Sequence, residues 1–285
     1  MVDQERIAIV TDSASDLTLE AAALLGVTVV PLALRFGHDT FLDRAEISTD
    51  ALVARVEEAG ILPATSSPSR VTFERVFRQL ASTHDAIIAV LNSSRLSSTV
   101  KSATIAAANV RDQIPVEIVD SLNVSYGLGH QVLRAVDLVN SGVPADRAAT
   151  QLRTEVPFNH VVFFAEELDH LRRHGKVGKA PELLGNILQL KPILRIDEGQ
   201  VIPFERVRTR AKALDLLVGF TKSLPAIDAI AVIYDTLPDD LDPLVRRLRR
   251  LVPSREVPHI QIGPSLAAQV GPGVLGIAIR ERIVV

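Results

Sequence analysis

The sequence predicts an α/β protein of two domains: an N-terminal parallel sheet flanked by helices, then a C-terminal α/β domain on a mixed or antiparallel sheet. Three observations predict it. In the first half, short β-branched runs alternate with amphipathic stretches of helical spacing, the pattern of a parallel sheet with helices on both faces. In the second half, Ile193–Ile196 and Val201–Val207 flank Asp197-Glu198-Gly199, which is hairpin chemistry. The chain has 285 residues, 47% of them hydrophobic, which accommodates one large or two smaller domains with a sizeable core.

Taken in order, Ile7–Val10 reads as a strand, Leu19–Leu25 as a helix closed by Gly26, and Val27–Leu34 as the next strand. Thr49 has N-cap chemistry for a helix to about Gly60, and Pro68 suits the first turn of a helix to about Ala81. Ile87–Leu91 and Val116–Val119 are strands followed by Ser-rich loops and helices. Val161–Ala165, Ala229–Tyr234, Val257–Ile262 and Val274–Ile279 are strands of the second domain, and Leu241–Leu251 is an Arg-rich amphipathic helix. The boundary falls near Phe158, giving domains 1–158 and 159–285.

A net charge of −3 supplies no global basic field for nucleic acid, and 4% aromatic residues without Trp supply few base-stacking surfaces. There is no Cys, so disulfides and thiolate metal sites are excluded. MVDQER lacks a basic region followed by a long apolar run, and the apolar runs are too short to span a bilayer. The expectation is a cytoplasmic protein with no transmembrane segment.

Three hydroxyl-rich clusters follow predicted strands or precede predicted helices. The first contains Asp12 and Ser13, the second Thr65 to Ser69, the third Asn92 to Thr99, in which Ser97 and Ser98 open a helix. Turn and capping chemistry accounts for any one of them. Together, on one sheet edge, they form a neutral donor-rich cradle suited to a small anionic head group such as a carboxylate, with a helix N-terminus adding partial positive charge.

Several enzyme motifs fail. No G-x-x-x-x-G-K-[ST] occurs. Gly271-Pro272-Gly273-Val274-Leu275-Gly276 fits G-x-G-x-x-G formally, but reads as a turn then a strand. Gly263-Pro264-Ser265 resembles a nucleophile elbow, yet no His follows it as the hydrolase order requires. His170 and His174 share a helix face without an obvious third ligand, so no metal site is expected. Arg172, Arg173, His174, Lys176 and Lys179 make a local basic cluster, which is either a solvated face or a docking surface.

IVTDSASDL, ATSSPS, LNSSRLSSTVKSA, IVDSLNVSYGLG, LRRHGKVGK, LLGNILQLKPIL, RVRT and QVGPG stand in an order and spacing that resemble the DegV family over essentially the whole chain. The resemblance implies a two-domain DegV-like fold that holds one long-chain fatty acid. It also implies a binding subunit that presents the lipid carboxylate to a separate ATP-dependent fatty acid kinase, with no catalysis, cofactor or metal of its own. Transient membrane contact fits that role. Carried over residue by residue, Thr65 and Ser97 match head-group hydroxyls, Ser98 stands where the family usually has Gly, and Gln269 where it usually has His. Arg208 matches the family Arg at a strand end, while Ser125, Gly271 and Gly273 fall in family loops beside the site, as do Asp12 and Ser13. Lys176 replaces the Arg of the usual G-R pair, and with Arg172 and Arg173 it falls near the family's kinase-facing surface. A stand-alone Ser-loop phosphotransferase or hydrolase, or a binding protein for another amphiphile, are the alternatives.

Overall fold

The computed structural model describes residues 5–166, 168–176 and 191–283. The chain opens on strand β1 (Ile7–Asp12), helix α1 (Leu19–Leu24) and strand β2 (Val27–Val30). Pro31 follows, with no N–H to donate to a ladder. The single strand expected over Val27–Leu34 is therefore two. After Pro31 the chain forms β3 (Ala33–Phe36), which pairs antiparallel with β4 (Asp39–Leu42) and not with β1. Thr49 is not the cap of α2 (Thr49–Ala59) but its first residue. Ser48 caps it, accepting from the Ala51 N–H at 3.1 Å, while the buried Thr49 hydroxyl donates to the Ile262 carbonyl at 2.7 Å.

The hydroxyl-rich second cluster is partly a strand, β5 (Ala64–Ser66), which pairs with β3 and sets Thr65 opposite Leu34. Helix α3 (Arg70–Ala81) is capped by Ser69, so Pro68 precedes the helix instead of occupying its first turn. Strand β6 (Ala86–Leu91), helix α4 (Thr99–Val110), strand β7 (Val116–Asp120) and helices α5 (Tyr126–Asn140) and α6 (Ala145–Glu155) complete the first half.

The four-stranded sheet has the order β2-β1-β6-β7 and is parallel throughout. Side chains of a strand point alternately to opposite faces, and β6 is buried along its whole length because both faces are covered. Ala86, Ile88 and Val90 pack with Val132 and Leu152 of α5 and α6. Ile87, Ala89 and Leu91 pack with Phe73, Phe77 and Ala103 of α3 and α4.

The second half runs through β8 (Asn159–Phe164), α7 (Asp169–Arg173), β9 (Lys191–Asp197), β10 (Gln200–Val207), α8 (Arg210–Ser223), β11 (Ile227–Tyr234), α9 (Leu241–Arg249), β12 (His259–Gln261), α10 (Pro264–Val270) and β13 (Leu275–Glu281). They form a mixed sheet ordered β10-β9-β8-β13-β11-β12, antiparallel except for the β11–β12 pair. The expected β9–β10 hairpin turns on Glu198 and Gly199, both at positive φ, as a two-residue turn between right-twisted strands requires. One face of this sheet, with Val162, Phe164 and Ile277, packs under α8 and α9. The other face, with Val161, Phe163 and Ile196, shares a core with Leu34, Phe36 and Leu52 of the first half and with Leu171 and Ala267. That shared layer holds the site. Lys179, and residues 183–190 of the LLGNILQLKPIL motif, lie outside the described residues.

Candidate functional site

Within the shared layer lies a cavity with about 510 Å³ of unfilled space, its solvent-facing mouth included. Its floor is the six-stranded sheet, through Val161, Phe163, Ile196, Val201 and Ile233. Leu266 and Val270 of α10 and Leu171 of α7 close one side, and Leu96 and Val124 from the first half close the other. The side chains that carry polar atoms in this lining are Ser125, Lys176 and Gln269. The lining is otherwise aliphatic or aromatic, so the cavity suits a hydrocarbon with one polar end.

Through Gln269 the lining connects to the hydroxyl-rich segments of the first half. Gln269 on α10 donates its amide Nε2 to the Thr65 hydroxyl of β5 at 3.1 Å. Two residues along, Ser67 exchanges a hydrogen bond with Ser97 at 2.8 Å, and the Ser98 hydroxyl donates to Ser67 at 3.1 Å. Ser97 also bonds the Thr99 hydroxyl at 2.8 Å, at the start of α4. Thr65 and Ser97 are half-buried and Ser98 is exposed, so the cluster runs from the neighbourhood of Gln269 out to solvent. Ser98 stands at the N-cap position just before α4, and its side chain makes no cap hydrogen bond, so the first-turn N–H groups are not capped by that side chain.

Behind the cavity the two halves are joined by a buried polar network. Asp16 receives the Ser125 hydroxyl at 2.6 Å, the Gly263 N–H at 2.7 Å and the Arg44 guanidinium at 3.0 Å. Arg44 also donates to the Gln261 carbonyl at 2.6 Å. Asp43 receives Ser13 at 2.8 Å and the Ser265 N–H at 3.4 Å, and Asp12 accepts from the Asn92 and Ala14 N–H groups at 2.9 and 3.0 Å. Burial raises the pKa of all three carboxyls, against the opposing effect of these donors. Asp12 reaches about 7 and Asp43 about 6. Asp16 is also raised, with the Arg44 charge the main opposing influence. Ser125 holds its place at φ 56°, in the left-handed region that costs a non-glycine residue strain, and its bond to Asp16 fixes it there.

The profile of the DegV family matches residues 6–282. The chain belongs to the DegV family. A DegV domain-containing protein of Streptomyces coelicolor is 33% identical over 280 residues, 97% of this chain and 99% of that protein. The solved structure of a Thermus thermophilus DegV family protein, described for its fatty acid binding, superposes with a TM-score of 0.88 at 31% identity and covers 97% of this chain and 100% of that one. The structure of Bacillus subtilis DegV, described as a fatty acid binding protein, gives a TM-score of 0.88 at 28% identity and covers 98% and 100%.

Among the DegV-type residues read from the sequence, Gln269 and Ser125 line the cavity; Thr65 is one hydrogen bond behind Gln269, and Ser97 and Ser98, bonded to Ser67, follow the lining residue Leu96 without lining the cavity themselves. Gly271 and Gly273, at φ 82° and 81°, make the turn between α10 and β13 beside it. Asp12 and Ser13 are fully buried in the joint and do not line the cavity. Arg208 is exposed past the end of β10, outside the lining. Arg172 and Arg173 are exposed on α7, where Arg172 approaches Asp169 at 3.5 Å. Lys176 parts from them: it lines the cavity. Ser265 is fully buried, which removes the nucleophile-elbow reading. His170 and His174 contact the carbonyls of Ala268 and Pro63 at 3.3 and 3.2 Å, tying α7 to α10 and to the segment before β5. Ser67 fell inside the second hydroxyl-rich cluster without being singled out, and Arg44, the partner of Asp16, carried no signal in the sequence. Among the described residues, no helix is long and apolar enough to cross a membrane.

Proposed function

We propose that this chain holds one long-chain fatty acid in the cavity, with the carboxylate at the Thr65–Ser67–Ser97–Gln269 end, and presents it to a separate ATP-dependent fatty acid kinase. The observation that carries the reading is an apolar cavity between the halves whose polar lining residue Gln269 bonds Thr65 of a hydroxyl-rich segment that continues to Ser67 and Ser97 towards solvent. The division of labour follows residues 1–158 and 159–285, the first supplying the head-group hydroxyls and the second most of the tail wall. The fatty acid binding described for the Thermus thermophilus and Bacillus subtilis relatives supports the same ligand class.

The energetics fit. Each buried CH₂ contributes about 0.8 kcal/mol, so a ~16-carbon tail gains roughly 12 kcal/mol gross before the costs of binding. The tail can supply affinity while the head group is held for reaction. An exposed Ser98 leaves a path by which a second protein can reach the carboxylate, and the exposed Arg172 and Arg173 on α7 offer it a basic surface. A Ser-dependent hydrolase is less well supported, because the cluster hydroxyls bond one another and Gln269, not an imidazole base.

Reconstitution tests the role. Delipidated protein, a long-chain fatty acid, ATP and a purified bacterial fatty acid kinase ATP-binding subunit should together form acyl phosphate, and omission of this chain should abolish it. Equal product without the chain refutes the presenting role. Turnover by the chain alone would favour the enzyme reading.

A further inference from the structure

The basic cluster after α7 divides in space, and the sequence shows why. Past the end of α7 stands Gly175 at φ 63°, the Gly175 N–H bonded to the Arg172 carbonyl at 3.0 Å and the Lys176 N–H bonded to the Leu171 carbonyl at 2.8 Å. This is the Schellman arrangement, in which a glycine in the left-handed region turns the next residue back over the helix side carrying the residue five positions earlier. Here that residue is Leu171, which is buried and lines the cavity. Lys176 is therefore carried inward by the backbone, while Arg172 and Arg173 stay on the exposed side.

The side chain that results is unusual for an apolar cavity. Lys176 is the ionisable group among the described residues lining it, and it is half-buried. Its ammonium has one polar contact among the described residues, the carbonyl of Leu96, and no carboxylate partner. An ammonium has three donors, and among the described residues one of them is taken. A cation taken partly out of water is held at a cost that no carboxylate offsets among the described residues, and burial pulls the Lys176 pKa down. Leu96 adjoins Ser97, and Ser97 leads through Ser67 towards Thr65 and Gln269. The cation thus belongs to the same polar end. Gln269 can donate to a carboxylate but carries no charge.

We propose that Lys176 is the counter-ion of the bound head group, the residue that makes this cavity select an ionised carboxylate over a neutral amphiphile of equal length. The inference rests on the fatty-acid reading above. The tail determines how tightly any C16 chain is held, the hydroxyls orient the head, and Lys176 distinguishes acid from alcohol.

The test compares palmitate with hexadecanol on delipidated protein at pH 8, for the unmodified chain, Lys176→Met and Lys176→Arg. The methionine keeps an unbranched apolar stem without the charge. The unmodified chain should prefer palmitate by about tenfold or more. Lys176→Met should lose most of that preference through palmitate alone, with hexadecanol binding unchanged, and Lys176→Arg should keep most of it. With 13C-carboxyl palmitate, the NMR-detected pKa of the bound carboxyl should be higher in Lys176→Met than in the unmodified protein. Unchanged palmitate binding in Lys176→Met overturns the inference. So does an equal fall for both ligands, which would make Lys176 a wall residue. An unmodified chain that binds both ligands equally defeats the counter-ion role but leaves the lipid reading standing. A chain that takes up neither defeats both.

Discussion

Arg44→Met tests the joint that holds the cavity's two sides together. Arg44 projects from the loop after β4 and neutralises Asp16, whose side chain is 0% exposed, while its own side chain is 13% exposed. Its guanidinium bridges Asp16 in the first half and the Gln261 carbonyl in the second. Removing one partner of a buried ion pair costs about 3–5 kcal/mol, because the other charge is stranded. Asp16 would retain the Ser125 hydroxyl and the Gly263 N–H, and it can take up a proton. We therefore expect a loss near the lower bound, about 3 kcal/mol at pH 8. The pH dependence has a definite sign. Burial already raises the Asp16 pKa, and losing Arg44 raises it further. A carboxyl with a raised folded-state pKa binds more protons folded than unfolded, so its contribution to stability falls as pH rises above the unfolded value near 3.9. The deficit of the variant should be small at pH 5 and large at pH 8. Urea unfolding followed by far-UV circular dichroism is the assay, since the chain has no Trp and only 2 Tyr. Adding Asp16→Asn should recover part of the loss. A deficit below about 1 kcal/mol at pH 8, or one that does not change with pH, would refute the assignment of a buried, Arg-dependent charge to Asp16.

Two further substitutions probe the proposed function. Thr65→Val and Ser97→Ala each remove a hydroxyl from the polar end; fatty-acid affinity should fall by severalfold at most while kinase-dependent phosphorylation falls strongly, and unchanged phosphorylation in both would remove them from the site. Arg172→Glu with Arg173→Glu reverses the exposed charge on α7; bound lipid should be unaffected and kinase pairing impaired, whereas lipid loss would give those residues a structural role.

Much of the fold was legible because its signals are local. Ile87–Leu91 is an unbroken apolar run, and a strand covered on both faces has that sequence. Asp197-Glu198-Gly199 announced its hairpin through turn chemistry. The failures came where a single residue redirects the chain. Pro31 splits one β-branched run between two sheets, and β5 is three residues long, too short for any period to register. At the site, Thr65, Ser97 and Gln269 were named from the family pattern, since nothing local links positions 204 residues apart. The Asp16–Arg44 pair is likewise set by topology, not spacing. Lys176 was read as surface because it sits among arginines. The signal that corrects this was present in Gly175, whose place after a short helix fixes the direction of the residue that follows.

The central claim is that the cavity between the halves is a lipid site, and the contents of the purified protein test it most directly. Protein expressed in bacteria, purified without detergent and extracted with organic solvent, should yield a long-chain fatty acid by mass spectrometry at close to one molecule per chain. Intact-mass measurement under native conditions should show the matching adduct, which extraction removes and added fatty acid restores. An extract free of acyl chains, together with no uptake of added fatty acid by the delipidated protein, would contradict the account.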